Sequence, residues 1–433
     1  MCNILNKRPF NKGLFYFLFL IVISFLYGYD KPLISVIELK GNLKTKAFIL
    51  NREIEHPLHI PLDSSLANSD RNRLENLGLF SQVIWITEPL ADESIKLVYT
   101  VVESIYKVPP IALPTYNEDY GWSITGVWSI KNFMGRNQNL SIGGSIGAED
   151  TYGFSFSDPW IFGNHVSLGI NIGRTLYKHR FLDREIDVNN FSVKFGRWFG
   201  RNIKSMIGLD IEEKKYFNEK SFDVFNYYGL LGSIKYDTRD IFWSPGKGVL
   251  FSHSLYYRKG IYPEDFQTTL WSQSYSTYFK INKSGKKRVL ALNTKVKRKL
   301  GIKNEFFINY IGNSTTIRGW DLPDSNLFYS QLEPFRFGHE SLQFSIEIRQ
   351  DIIPKKLIKT GIEFGLTVVA FYDFGMITDD WKNLKEESLI NGIGAGIRIP
   401  FPIVGVIRLD YGFGFREGVF NSGSLHLGIG QKF

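Results

Sequence analysis

The sequence predicts a mostly β protein, a transmembrane antiparallel β-barrel of about 16 strands behind one small α+β unit of order β-α-α-β-β. Three observations carry that prediction. Period-two alternation of apolar with polar or small residues persists from Tyr116 to the C-terminus. The 433 residues combine 15% aromatics and 40 glycines with only 22% charged side chains, which suits aromatic girdles and glycine-relieved turns. Residues 33–104 lack the alternation and instead place helical spacings between strand-like runs. A mean hydropathy of −0.13 is too polar for a helical membrane protein and fits a wall half of whose residues face a lumen.

The first element is a targeting segment. Lys7, Arg8 and Lys12 form a positive n-region, and Leu14 to Tyr27 an apolar h-region, so residues 1–29 read as a signal peptide. Gly28 is a small residue near the cleavage point, although Leu26 departs from the small-x-small pattern. The alternative, an uncleaved anchor, asks for ~20 apolar residues, more than this run supplies. Cys2, the only cysteine, precedes the h-region and cannot anchor lipid at the cleavage point. The mature chain would then carry no thiol, as suits an oxidising envelope compartment. Three positive charges leave with the signal, taking the net charge from +9 to about +6. No compact basic patch with interleaved aromatics is present, so no nucleic-acid partner is expected.

Residues 33–104 form the small unit. Ile34, Val36, Ile37 and Leu39 make a strand that ends at Gly41-Asn42. Ala47, Phe48, Leu50 and Ile54 fall at helical spacing. Asp63 can cap a second helix carrying Leu66, Leu74 and Leu77, with Gly78 as its stop. Phe80–Ile86 and Ile95–Val102 close the unit as strands. Pro109, Pro110 and Pro114 then mark residues 105–115 as a linker, and 116–433 as the barrel. Within the barrel Tyr152, Phe154 and Phe156 alternate with glycine and serine, as do Val166, Leu168, Ile170 and Ile172. Leu425, Leu427 and Ile429 share parity with the final Phe433. A soluble β-sandwich would give no reason for the signal, the aromatic density and the terminal aromatic together.

These residues carry a resemblance. Ile37-Glu38-Leu39-Lys40-Gly41-Asn42, Arg73-Leu74-Glu75-Asn76-Leu77-Gly78-Leu79-Phe80 and Val101-Val102-Glu103 resemble a POTRA domain. Tyr236-Asp237-Thr238-Arg239-Asp240 with Pro245 and Gly248, Ile317-Arg318-Gly319-Trp320, Phe371-Tyr372-Asp373-Phe374-Gly375, Gly392 to Arg398 and the terminal Phe433 resemble a bacterial surface antigen barrel. In that order and spacing, the mature chain is similar to the outer-membrane assembly-factor superfamily, the BamA/TamA-like proteins and two-partner-secretion transporters. Three departures stand out. There is one POTRA where BamA-like members carry several, Trp320 replaces the commoner Phe or Tyr of the Arg-Gly-aromatic motif, and no catalytic domain is fused.

The resemblance implies that the loop bearing Arg318 folds into the barrel and that its arginine meets acidic side chains on the inner wall. Parity tests this independently. With Leu342, Phe344, Ile346 and Ile348 facing lipid, Glu347 faces the lumen; the same argument turns Asp373 and Asp410 inward. Arg318 can meet such carboxylates bidentately, Gly319 allows a tight turn against the wall, and Trp320 wedges the loop tip. The implied lateral seam joins the last strand, ending at Phe433, to a first strand around Tyr116–Ile130, which carries Gly121 and Gly126.

Enzyme readings find little support. Gly143-Gly144-Ser145-Ile146-Gly147 fits G-x-S-x-G but alternates within a strand, where a nucleophile elbow needs a following helix. His56 and His59 flank Pro57, which spoils a zinc-binding helical face. No cofactor and no metal are expected. The function implied is capture of unfolded β-barrel clients and their insertion into outer-membrane lipid by strand templating at the seam. The alternative is export of a secreted polypeptide through the lumen. The partners implied are such polypeptides and accessory periplasmic proteins.

Overall fold

The structure is a computed structural model and describes residues 32–104, 107–163, 165–359, 362–383, 388–401 and 405–433. The signal segment expected over 1–29 lies outside the described residues. The N-terminal unit contains β1 (Ile34–Lys40), α1 (Ala47–Asn51), α2 (Ser64–Asn76), β2 (Phe80–Pro89) and β3 (Ile95–Glu103). Its sheet runs β1-β3-β2, with β1 parallel and β2 antiparallel to the central β3. Ile34, Leu50, Ala67, Leu74, Leu97 and Tyr99 fill the space between sheet and helices. Asp63 caps α2, its carboxylate accepting from the N–H groups of Ser65 and Leu66 at 2.8 and 3.2 Å. His56 is occupied locally: its Nε2 accepts the Asp63 N–H at 2.9 Å.

The buried polar centre of this unit is Asp70, fully enclosed on α2. It accepts the Tyr99 hydroxyl at 2.8 Å, the Glu55 and His56 N–H groups at 3.0 and 3.1 Å, and the Arg73 guanidinium. One carboxylate therefore fixes the chain between the two helices against the central strand.

The remaining strands form one large antiparallel sheet: β4 (Lys107–Asn117), β5 (Gly121–Phe133), β6 (Gln138–Gly147), β7 (Glu149–Asp158), β8 (Val166–Lys178), β9 (Glu185–Phe199), β10 (Ile203–Phe217), β11 (Phe222–Asp237), β12 (Gly248–Tyr262), β13 (Gln267–Lys280) and β14 (Arg288–Gly301). After the 302–339 loop, which holds the short β15 (Asn309–Tyr310), α3 (Ser325–Tyr329) and β16 (Phe337–Gly338), come β17 (Glu340–Lys359), β18 (Ile362–Thr378), β19 (Ile390–Phe401), β20 (Gly405–Arg416), β21 (Val419–Phe420) and β22 (Ser424–Ile429). Seventeen strands make the sheet, and the two-residue β21 is a detour off the end of β20, which pairs directly with β22. The strand order places β22 beside β4. Along β17 the inward Ser341, Gln343, Ser345, Glu347 and Arg349 are buried, while Ile346 and Ile348 are exposed on the other face.

Two expectations about the first strand change. Residues 107–115, read as a linker, belong to β4, and the stretch expected to be the first strand divides between β4 and β5. Gly121 and Gly126 therefore sit in the second strand. Proline cannot donate to a ladder, so three prolines argue for a linker in isolation. Here β4 tolerates them because it lies at the sheet's edge in sequence order, and a register shift between Val108 and Ile111 takes up the Pro109-Pro110 pair.

The unit docks onto the end of the sheet that carries the β5–β6 and β11–β12 turns. Asn132 donates to Thr45 at 2.9 Å, and the Lys46 N–H to the Gly135 carbonyl at 2.9 Å. Asn76 brackets the β11–β12 turn, donating to the Asp240 carbonyl at 3.1 Å and accepting the Phe242 N–H at 2.9 Å. Arg52 lies over Trp160 at 4.1 Å. Asp70→Ala should strand the Tyr99 hydroxyl and the buried His56 N–H together with Arg73, a loss of about 3–5 kcal/mol for a broken buried charge pair. Limited proteolysis should then cut within 32–104 while the sheet keeps its heat-modifiable mobility on gels.

Candidate functional site: the loop lock

The 302–339 loop turns into the space enclosed by the sheet. Its base is pinched by β15 pairing with β16. Its interior is pinned by Arg336, a buried guanidinium that donates to the carbonyls of Ile311 and Gly312 at 3.2 and 3.3 Å and to Glu333 at 2.7 Å. Nothing in the sequence pattern singled out Arg336.

Beyond this pin the chain carries Arg318 into the wall. Arg318 is completely buried, as are Glu347 on β17, Asp373 on β18 and Asp410 on β20. Nε and Nη2 donate to the two Asp373 oxygens at 2.8 and 3.1 Å, the bidentate fork. Nη1 donates to Glu347 at 2.7 Å and Asp410 at 3.0 Å. The guanidinium also stacks on the Phe371 ring at 3.7 Å. The structure thus brings together all four charged residues that motif and parity had selected.

The wall is shaped for this loop by glycine. Gly319 has φ +91°, and a Cβ there would lie 2.6 Å from the Phe413 carbonyl carbon. On β19, a Cβ at Gly392 would sit 1.8 Å from the Arg318 carbonyl oxygen, and one at Gly396 would sit 1.9 Å from Asp410 Oδ1. The register explains why. Asp373 pairs with Gly392, and Gly396 with Asp410, so each large acid faces a vacancy one strand away. Trp320 donates its indole N–H to the Asn391 carbonyl at 2.8 Å and packs beside Ile311, Ile317, Ile377 and Ile390.

Each carboxylate has another cation besides Arg318. Arg349 Nε donates to Glu347 at 2.7 Å, and Arg398 Nη1 donates to Asp410 at 2.6 Å. Lys432 Nζ reaches Asp373 at 2.7 Å and also donates to Ser345 Oγ at 2.8 Å and the Thr316 carbonyl. Sequence parity could have found Arg349, which stands two residues after Glu347, and it also points to a further cation, Arg408, two residues before Asp410 and 3.7 Å from it. Lys432 was hidden. The alternation of Leu425, Leu427 and Ile429 extended naturally to Phe433, but Gly430 has φ +84° and bends the tail inward. Phe433 therefore leaves the seam where it was expected. Its ring stacks with Tyr278 at 6.4 Å and lies 5.0 Å from the Arg349 guanidinium.

His426 and Glu118 were also missed. His426 on β22, 1% exposed, accepts the Gly319 N–H on Nε2 at 2.8 Å and meets Glu118 through Nδ1 at 2.5 Å. They are 308 positions apart in the chain, and no local signal connects them. Gly121 and Gly126 touch none of this cluster. Ser145 lies in β6 with its hydroxyl donated to the Glu149 carbonyl at 2.8 Å.

Residues 132–433 match the Omp85 superfamily domain. Among solved structures, the chain is similar to BamA from Haemophilus ducreyi lacking POTRA domains 1–3, at 16% identity and a TM-score of 0.56, over 91% of this chain and 84% of that one. It is also similar to CdiB from Acinetobacter baumannii, at 15% identity and a TM-score of 0.54, over 93% of this chain and 74% of that one. At these identities the likeness is one of fold. No curated protein sequence matches the chain.

Because Arg349, Arg398 and Lys432 remain beside the acids, Arg318→Ala should cost less than the about 3–5 kcal/mol typical of a broken buried pair. The expected outcome is an intact sheet by heat-modifiability, with the 314–320 segment newly open to protease. Gly392→Ala should give the same loop exposure with every charge in place, since its methyl occupies the position of the Arg318 carbonyl.

Proposed function

The chain belongs to the Omp85 superfamily, and on that premise we propose that it assembles outer-membrane proteins, capturing unfolded β-barrel clients and inserting them at a lateral seam. In this reading the 32–104 unit is a single POTRA domain on the periplasmic side, and the sheet is an outer-membrane barrel whose seam lies between β22 and β4. Members of the superfamily handle polypeptides in the outer membrane.

The observation that carries the reading is the weakness of the two seam strands. β22 has six residues, and β4 contains Pro109, Pro110 and Pro114, each without an N–H to give a neighbour. A strand pair this short and this poor in donors is the cheapest place in the sheet to separate. Once parted, the free edge offers N–H and C=O groups to an incoming client strand, as in β-augmentation. The weakness thus comes from the prolines of β4; Gly121 and Gly126 lie one strand further on.

A second reading, export of a polypeptide passenger through the lumen, has its own support. A cavity of about 620 Å³ opens between the α2 face (Ser65, Asn68, Asn72) and the end of the sheet where Trp160 and Trp198 stand. It would feed a chain into a lumen cleared by release of the loop. The fold likeness to both BamA and CdiB leaves the two readings to experiment.

Mature protein reconstituted in liposomes should accelerate folding of an unfolded model barrel over empty liposomes, scored by heat-modifiability. Arg318→Ala should abolish the acceleration, and a cysteine pair stapling 112–117 to 424–429 should stop it until reduced. No acceleration by a properly folded protein would remove the insertase reading. A large stable conductance that survives deletion of 33–104 would replace both readings with a passive channel.

A further inference from the structure

Three side chains of the C-terminal strand and tail reach the loop: Ser424, whose hydroxyl donates to Asp321 at 2.8 Å near the end of β22, and, deeper in the cluster, His426 and Lys432. His426 projects from β22 opposite Asp410 in the strand register. A backbone N–H can only donate, so the bond from Gly319 to Nε2 places the imidazole proton on Nδ1, which donates to Glu118 Oε1. The other Glu118 oxygen accepts the Ser314 N–H at 2.9 Å. Glu118 lies in the turn between β4 and β5. One imidazole therefore ties the last strand, the hairpin of the first strand and the loop tip. Lys432 makes the second tie, bending inward past Gly430 to hold Asp373, Ser345 and the Thr316 carbonyl at once.

Consider what separation of β22 from β4 does to these groups. His426 moves with β22 and leaves the Gly319 N–H and Glu118 behind, buried and short of a partner. Lys432 moves as well and withdraws a cation from the carboxylate that grips Arg318. Each loss penalises the loop position that the lock favours. When the loop leaves first, His426 Nε2 loses the Gly319 N–H and Lys432 loses the Thr316 carbonyl, so both ties hold the strand and tail less firmly, although Lys432 keeps Asp373 and Ser345 on the wall.

We propose that His426 and Lys432 are coupling residues, which make the loop's place in the lumen and the C-terminal strand's place at the seam a single two-state element. Loop release and seam opening then occur together. This deepens the seam reading above, but the coupling is a property of the chain alone and stands or falls without a client. Coupling is reciprocal: whatever loosening the loop does to the strand, loosening the strand does to the loop.

The test is amide hydrogen exchange, followed by mass spectrometry, on the mature protein in lipid nanodiscs. Three forms are compared: wild type, Arg318→Ala, and the double variant His426→Ala/Lys432→Met. Arg318→Ala should speed exchange in 424–429 by about ten-fold, within the usual range of site-to-site coupling, although Arg318 has no contact with that strand's backbone. The double variant should speed exchange in 311–317 by a similar factor, and Lys432→Arg, which keeps the cation, should leave that segment near wild type. Effects confined to the mutated segment, in either direction, would overturn the proposal. Heat-modifiability first checks that each variant is folded. Should the double variant fail, Lys432→Met alone, beyond the last strand, carries the same comparison. Because no client is added, failed insertion with retained coupling rejects only the function, and insertion without coupling rejects only this inference.

Discussion

The space enclosed by this sheet is organised around one buried guanidinium. Taking Arg318 fully out of water is expensive, and only the bidentate fork to Asp373, the bonds to Glu347 and Asp410 and the stack on Phe371 offset that cost. The cluster is not balanced one for one. Three carboxylates face five cations: Arg318, Arg349, Arg398, Arg408 and Lys432. The surplus has a physical consequence. When Arg318 departs, each acid keeps another positive neighbour, so the wall remains a receptive cage. Such a site can hold a loop firmly and still release it, which a minimal ion pair in the same low-dielectric setting could not do.

Space and charge are matched strand by strand. β19 is the floor of the lock, and its inward Gly392 and Gly396 stand opposite Asp373 and Asp410, where the loop and its carboxylate partner need room. A methyl group at either position would collide with the lock itself. The same logic runs through Gly319, whose left-handed backbone lets the loop lie flat against Phe413. Glycine here is a fitting device for one bound loop, and weak strand propensity is a side effect of that fit.

The first and last strands of the sheet offer little backbone pairing to each other. Prolines in β4 and the brevity of β22 limit the backbone bonds available between them, so side chains supply the hold: His426 reaches Glu118 across the seam, and the tail past Gly430 anchors in the lumen. Side-chain ties of this kind reach from the strand into the loop, which backbone pairing between two strands does not do. The N-terminal unit, gripping the β11–β12 turn through Asn76 and the β5–β6 turn through Thr45, sits at the other end of the molecule from the loop base.

The sequence by itself determined what depends on periodicity and on short strings. Alternation pointed to a large antiparallel sheet of about the right strand number, turned Glu347, Asp373 and Asp410 inward, and separated 33–104 from the rest; the Arg318-Gly319-Trp320 string named the loop's contact point. Helix and strand order in the small unit, with the Asp63 cap, was legible because those signals are local. Tertiary structure decided the remainder. Proline is a linker residue by local rule, yet residues 107–117 pair as β4 because a neighbouring strand supplies the ladder. A single left-handed glycine at 430 broke the parity that would have put Phe433 on the lipid face. His426 and Glu118 meet only in the folded chain, 308 positions apart, and no spacing along a chain encodes a contact between its last strand and its first hairpin.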